Sequence, residues 1–193
     1  MKTTIVYAHP YEGSFNRAVL TTVLKATKAA HVIDLYADGF DPVLREDDLA
    51  LYPEGKSNDP LVADYNEILD DTEELIFIFP IWWYDMPAML RGFLEKVMLE
   101  GSAYHTGSAG LSPIRDIKKT FLLTTSSTPT ESLVEDFGDP MQDACINATL
   151  TIIGCHDIRW INFGGIDGST EKERTEYLTK IRNILQEKKA DTN

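Results

Sequence analysis

The stretch Thr3-Thr-Ile-Val-Tyr-Ala8, running without a break into His9-Pro-Tyr-Glu-Gly-Ser-Phe-Asn16, decides the fold. Its first half reads as a buried strand. From about Phe15 the apolar residues Val19, Leu20, Val23, Leu24 and Ala26 recur at helical spacing on one broad face. A strand that stops at a turn and reopens as a helix gathers unpaired backbone N–H groups and the positive end of a helix dipole at one point, which suits a phosphate. Arg17 is a neighbouring cation. The loop matches neither GxGxxG nor GxxxxGK(S/T), so it is neither a dinucleotide fingerprint nor a nucleoside-triphosphate loop. An ordinary strand-to-helix turn with Ser14 as its N-cap accounts for this stretch equally well, and the rest of the chain has to decide.

Outward from that junction, strand runs alternate with helical periodicity, with no linker, repeat or low-complexity block. His31 to Tyr36 is the second strand. Ala37 to about Pro60 is rich in Asp, Gly and Pro and long for a connection inside one domain, so it is expected to be functional or an interface arm. A short helix from Leu61 to about Asp71 leads to a third strand, Leu75 to Phe79, whose unbroken apolar run suits a central position. The turn Pro80-Ile81-Trp82-Trp83-Tyr84-Asp85-Met86-Pro87 precedes a helix with Leu90, Phe93, Leu94, Val97 and Met98 on one stripe. The fourth strand, Thr120 to Thr124, ends in the polar run Thr124-Thr125-Ser126-Ser127-Thr128. Asp139-Pro140 reads as N-cap and first residue of a helix carrying Met141, Ala144, Cys145, Ala148 and Ile152. A fifth strand spans about Asp157 to Phe163. Thr170 with Glu173 has capping-box spacing ahead of a last helix that buries Tyr177, Ile181, Ile184 and Leu185.

These elements predict one α/β domain over residues 1–193, a five-stranded parallel sheet with helices on both faces. In the flavodoxin-like order 2-1-3-4-5 a ligand binds at the carboxyl ends of the first and third strands. The loops 9–16 and 80–84 then lie side by side, with the Thr/Ser run next to them. The first offers phosphate donors, His9 among them, and Trp82-Trp83-Tyr84 offers flat apolar surface for a planar ring. Together they suit a flavin.

The 193 residues carry 31 acidic against 18 basic side chains, a net charge of −13, which argues against nucleic acid and anionic lipid as partners. No apolar run approaches the roughly 20 residues that span a bilayer. The strand begins by Thr3, leaving no room for a signal peptide, so a cytoplasmic location and no membrane insertion are expected. Cys145 and Cys155 read as buried thiols. No metal site is expected, and Glu46-Asp47-Asp48 reads as a solvated face.

The chain resembles the NAD(P)H:quinone oxidoreductase (DT-diaphorase type) family of flavodoxin-like flavoproteins. The resemblance lies in His9 with Ser14-Phe15-Asn16; Asp34-Leu35-Tyr36 with Phe40-Asp41-Pro42-Val43-Leu44; and Phe79-Pro80-Ile81 through Trp83 with Pro87-Ala88, Leu90, Gly92 and Ala103-Tyr104. It covers the amino-terminal half and weakens beyond Thr125. It implies a homodimer with one flavin per subunit near the interface, reducing quinones or related acceptors by two electrons. It further implies a flavin phosphate wrapped by His9, Ser14, Phe15 and Asn16. Its ring would be lined by Pro80, Ile81, Trp82 and Trp83 on one side and by Thr124 and Thr125 on the other, with Tyr104 at the substrate pocket. The excursion after the second strand matches a segment the family uses around its subunit contact.

The chain departs from the family at Ser126-Ser127, where well-known members have a Gly-Gly pair, and near Phe137, where they have a pocket histidine. The backbone around Thr125 to Ser127 remains the candidate donor set for charge on the reduced ring. The chain lacks the carboxyl-terminal extension of longer members, which points to FMN, with FAD as the alternative and NAD(P)H as co-substrate. NAD(P)H and quinone would use one pocket in turn, in a ping-pong cycle whose chemistry belongs to the flavin. A flavodoxin-type electron carrier and a soluble regulatory subunit of a potassium-efflux antiporter are the alternative functions.

Overall fold

The structure, a computed structural model, describes residues 1–27 and 31–187. The first strand, β1 (Thr3–Tyr7), passes through the loop 8–14 into α1 (Phe15–Thr27), and β2 (His31–Asp34) follows. The excursion 35–59 holds α2 (Glu46–Leu51) and a 3₁₀ turn, Tyr52–Glu54, before α3 (Pro60–Asp70), β3 (Glu74–Pro80) and α4 (Ala88–Val97). Beyond a small hairpin, β4 (Tyr104–Gly107) and β5 (Gly110–Pro113), come β6 (Lys119–Ser126) and α5 (Thr130–Glu135). A π-helical segment, Met141–Leu150, leads to β7 (Ile158–Gly164) and α6 (Glu171–Glu187).

The main sheet has five parallel strands in the order β2-β1-β3-β6-β7, the expected flavodoxin-like arrangement. Strand alternation divides the core in two. Ile5, Tyr7, Ile76, Ile78, Phe121 and Leu123 pack with Val19, Leu20 and Val23 of α1 and Tyr177, Ile181 and Leu185 of α6. Val6, Leu75, Phe77, Phe79 and Leu122 face α3, α4 and the π-helical segment. All seven residues of β3 are buried, as a central strand requires.

The excursion is pinned rather than loose. The buried Lys96 ammonium on α4 donates to the Asp41 carbonyl at 3.0 Å and lies 3.4 Å from Asp59, 3.8 Å from Asp48 and 5.5 Å from the Phe40 ring centre. Asp48 is thus buried, whereas Glu46 and Asp47 are exposed, which corrects the reading of all three as a solvated face. Gly92 admits the chain from the other side: a Cβ there would sit 2.1 Å from the Pro42 carbonyl oxygen.

Local signals fare unevenly. Thr170 and Glu173 form the expected reciprocal cap, Thr170 N–H to Glu173 at 2.7 Å and Glu173 N–H to the Thr170 hydroxyl at 3.3 Å. The second strand ends at Asp34, because Leu35 and Tyr36 already turn the chain, the Phe40 N–H donating to the Leu35 carbonyl. Leu24 is exposed on the outer side of α1. Asp139 is not helical: it is left-handed at φ 49°, although its carboxylate still accepts from the Gln142 N–H at 3.1 Å. The π winding adds a residue to each turn, so Met141, Cys145, Ile146 and Leu150 face inward while Ala144 and Ala148 are exposed. The two cysteines are buried free thiols. Among the described residues no helix is long and apolar enough to cross a membrane, and no cluster of His, Cys, Asp or Glu is arranged to hold a metal ion.

Candidate functional site

Two adjoining clefts open at the carboxyl ends of β1, β3 and β6. The first, about 200 Å³, is lined by His9, Ser14, Phe15, Asn16, Pro80, Ile81, Trp82, Thr125 and Ser127, with Ile166 and Asp167 from the loop after β7. The second, about 390 Å³, is lined by Ile81, Trp82, Trp83, Tyr84, Ser126, Ser127, Thr128 and Leu133. Ile81, Trp82 and Ser127 belong to both.

The first cleft gathers several groups able to donate hydrogen bonds. Ser14 caps α1, its hydroxyl accepting from the Arg17 N–H at 3.2 Å, so Phe15 and Asn16 supply the first-turn N–H groups at the positive end of the helix. His9 accepts the Tyr11 N–H on Nδ1 at 3.1 Å, which leaves Nε2 to carry a proton and donate. Burial pushes the His9 pKa down, so the ring stands neutral. Asn16, 2% exposed, donates from Nδ2 to the Thr125 hydroxyl at 3.2 Å, while its buried Oδ1 has no partner. Turning that amide over would let Thr125 donate to Oδ1 and would leave Nδ2 free to donate. Arg17 is committed elsewhere, 3.0 Å from Glu12 and 3.5 Å from Asp34, so the site draws on backbone, dipole and neutral donors.

The second cleft has an aromatic side and a polar side. Trp82 and Asp85 exchange backbone hydrogen bonds at 2.9 and 3.1 Å, closing a two-residue turn whose central residues, Trp83 and Tyr84, are left-handed at φ 52° and 62°. Side chains other than Gly, Asn and Asp are strained there by about 1 kcal/mol each. Asp85 anchors the turn by accepting from the Met86 N–H at 2.7 Å and from Arg91 at 2.9 and 3.0 Å. Trp83 is 96% exposed, a large apolar surface held out on a strained turn. Phe137 packs on Tyr84 with ring centres 4.5 Å apart, which places it beside this wall.

Of the expected residues, His9, Ser14, Phe15, Asn16, Pro80, Ile81, Trp82, Trp83, Thr125, Ser126 and Ser127 come together in the two clefts. Thr124 lines neither: it is fully buried, donating to Asn162 at 2.8 Å and accepting from the Trp160 indole at 2.8 Å. It belongs to a network behind the wall, in which Asn162 donates to Ser126 at 2.8 Å and to Thr130 at 2.9 Å and so orders the β6–α5 loop. The amides of Ser127 and Thr128 lie just past the last ladder pair, Ser126 with Gly164, where strand pairing no longer claims them. Tyr104 also lies outside both clefts. Its hydroxyl is 3.2 Å from that of Tyr52, whose pKa burial and this hydrogen bond push up to about 12.

Tyr84 and Thr128, expected from the aromatic turn and the polar run, line the second cleft, while Leu133, Ile166 and Asp167 complete the linings and were not anticipated. Position after β3 marks Tyr84, and the Thr/Ser run extends to Thr128. Leu133 sits on a helix of only six residues, too short for a periodic signal.

A family model described as a flavodoxin-like fold matches residues 1–185. The chain is 25% identical to an uncharacterized NAD(P)H oxidoreductase of Haemophilus influenzae, over 97% of this chain and all of that one. It is 31% identical to rat (Rattus norvegicus) NAD(P)H dehydrogenase (quinone) 1 over 52% of this chain and 44% of that protein, and so spans less than half of that relative's length. Among solved structures, the NAD(P)H:quinone oxidoreductase of Methanothermobacter marburgensis superposes with a TM-score of 0.86 at 25% identity, covering 96% of this chain and 98% of that one.

Proposed function

The chain belongs to the flavodoxin-like fold family, and from that premise we propose that it is a flavin-dependent NAD(P)H oxidoreductase that reduces quinones or related acceptors. The observation that carries this reading is the buried Asn16 amide with one unmet hydrogen-bonding atom, set in an oxyanion cleft that shares a wall with an aromatic cleft. A phosphate joined to a planar ring fits that pair, and a flavin has both. FMN, with its single phosphate, is the cofactor we assign. The names of the relatives, NAD(P)H oxidoreductase and NAD(P)H dehydrogenase (quinone), support the same reaction.

When bound, the flavin supplies the chemistry, taking a hydride from NAD(P)H and returning two electrons to a quinone, which gains two protons overall. The chain's own residues do the rest. Phe15 and Asn16 amides, the Ser14 hydroxyl, His9 Nε2 and the freed Asn16 Nδ2 hold the phosphate. Ile81, Trp82 and Trp83 would line one side of the ring. The Ser127 and Thr128 amides would supply hydrogen-bond donors beside it, to offset negative charge. Donor and acceptor share the second cleft in turn, which gives ping-pong kinetics.

The active form we propose is a homodimer. The excursion exposes Val43 and Leu49, the β4–β5 hairpin Leu111, and the segment just after it Ile114, apolar surface that a second copy would cover. Tyr104, outside its own clefts, would then take its substrate contact in the cleft of the second copy. Anaerobic half-reactions test the function: one equivalent of NAD(P)H should bleach the flavin absorbance and a quinone should restore it. A flavin that neither nicotinamide nucleotide reduces would defeat the proposal.

A further inference from the structure

We infer that the second cleft selects its reductant and acceptors by charge: it takes NADH, which lacks a 2′-phosphate, with neutral or cationic acceptors, and turns away NADPH and anionic acceptors. The inference rests on the oxidoreductase reading and gives it a substrate class.

The cleft lining itself holds no charged side chain. Its rim is acidic. Glu131, Glu135 and Asp136 are exposed on and just after α5, the helix that contributes Leu133 to the wall. Asp136 directly precedes Phe137, whose ring packs on Tyr84 of the aromatic side. Asp139 is tied to the same wall, its N–H donating to the Leu133 carbonyl at 3.0 Å. From Thr120 to Ile158 the sequence contains no lysine or arginine, so nothing on this stretch offsets those four carboxylates.

The cations at the starts of the surrounding helices are already engaged. Arg91 holds both oxygens of Asp85, and Arg17 lies between Glu12 and Asp34. Arg174 donates to the Ser169 hydroxyl at 2.8 Å and the Ile166 carbonyl at 3.3 Å, and Lys172 lies 3.7 Å from Glu176. A 2′-phosphate is recognised by an arginine or lysine able to take its oxygens. The three arginines are committed, and Lys172 makes only an exposed surface pair. NADH and NADPH share their pyrophosphate, so the difference falls on the 2′-phosphate, about two further negative charges brought toward a surface of like sign. Salt screens that repulsion over about 8–10 Å, which makes the effect testable.

The experiment compares kcat/KM for NADH and NADPH on the flavin-loaded protein, with one neutral benzoquinone as acceptor, at low and at high salt. NADH should lead by about tenfold or more at low salt, and the gap should narrow as salt rises. NAD⁺ and NADP⁺ binding, followed by fluorescence quenching, should rank in the same order. The double reversal Glu135→Lys with Asp136→Lys should shrink the ratio severalfold; if it fails to fold, Glu135→Gln and Asp136→Asn singly should move it the same way. A sulfonated quinone set against its neutral parent should fare as NADPH does. Equal use of both nucleotides at low salt, or a ratio unmoved by the charge variants, overturns the inference alone. A protein that takes up no flavin overturns it together with the functional reading.

Discussion

Replacing Asn16 by alanine separates binding from folding. In the flavin-bound protein this change removes a hydrogen bond to an ionised phosphate oxygen, a contact worth about 1.5–3 kcal/mol. Flavin affinity should therefore fall by about 10- to 150-fold. In the flavin-free protein two effects oppose each other. The Nδ2 bond to Thr125 is lost, about 1 kcal/mol, but so is a buried oxygen without a partner, whose desolvation costs about 1–3 kcal/mol. The net change in stability should stay within about 1–2 kcal/mol, a shift of only a few degrees in Tm. Titrating apoprotein with FMN by fluorescence quenching gives the affinity, and thermal unfolding of the same apoprotein gives the stability. Asn16→Asp, which turns a carboxylate toward the phosphate, should weaken binding beyond the alanine variant. Unchanged FMN affinity in Asn16→Ala with an intact fold would refute the assignment of this cleft to the phosphate.

Trp83→Asn should stabilise the apoprotein by about 1 kcal/mol, since asparagine tolerates the φ of 52°, while weakening the bound ring; thermal unfolding and flavin titration read the two effects separately. Gly92→Ala should lower stability by about 1–3 kcal/mol because its methyl meets the Pro42 carbonyl, and should hasten proteolysis within 35–59, seen by mass spectrometry of a limited digest. Lys96→Met leaves the buried Asp48 and the partly buried Asp59 without their cation and should cost about 3–5 kcal/mol in denaturant unfolding. Burial pushes the Cys145 thiol up to about 12 and Cys155 to about 11, against an ordinary value of 9.0. The unfolded chain therefore loses those protons first as pH rises above 9, so stability should fall with pH from there, and neither thiol should react with a disulfide reagent at pH 8 until the chain unfolds.

The parts that the sequence made legible are those where burial imposes a period. Thr3 to Ala8, Leu75 to Phe79 and the Leu90–Met98 stripe are covered by the fold, and their apolar patterns declare strand or helix before any contact is known. The order of the strands then set loops 9–16 and 80–84 side by side, which located most of both clefts. Short exposed elements stayed hidden. In α2 and α5, six residues each, one residue apiece is buried, and the β4–β5 hairpin has none. The π winding of Met141–Leu150 breaks the helical period itself, so Ala144 and Ala148 looked like core residues and are not. The family resemblance places Thr124 against the ring, but its hydroxyl is claimed by Asn162 and Trp160 on the neighbouring strand, a pairing that no local pattern announces. Asp167 arrives from a loop beyond β7 that resembles nothing in the matched motifs.

The visible spectrum of the freshly purified protein, followed by chromatography of whatever denaturation releases, tests the central claim most directly. The account predicts the two absorption bands of oxidised flavin and the release of FMN, at one per chain. A featureless spectrum that stays so after excess FMN or FAD is added would contradict it, leaving the Asn16 cleft and the aromatic cleft as features of the fold without the ligand argued for them.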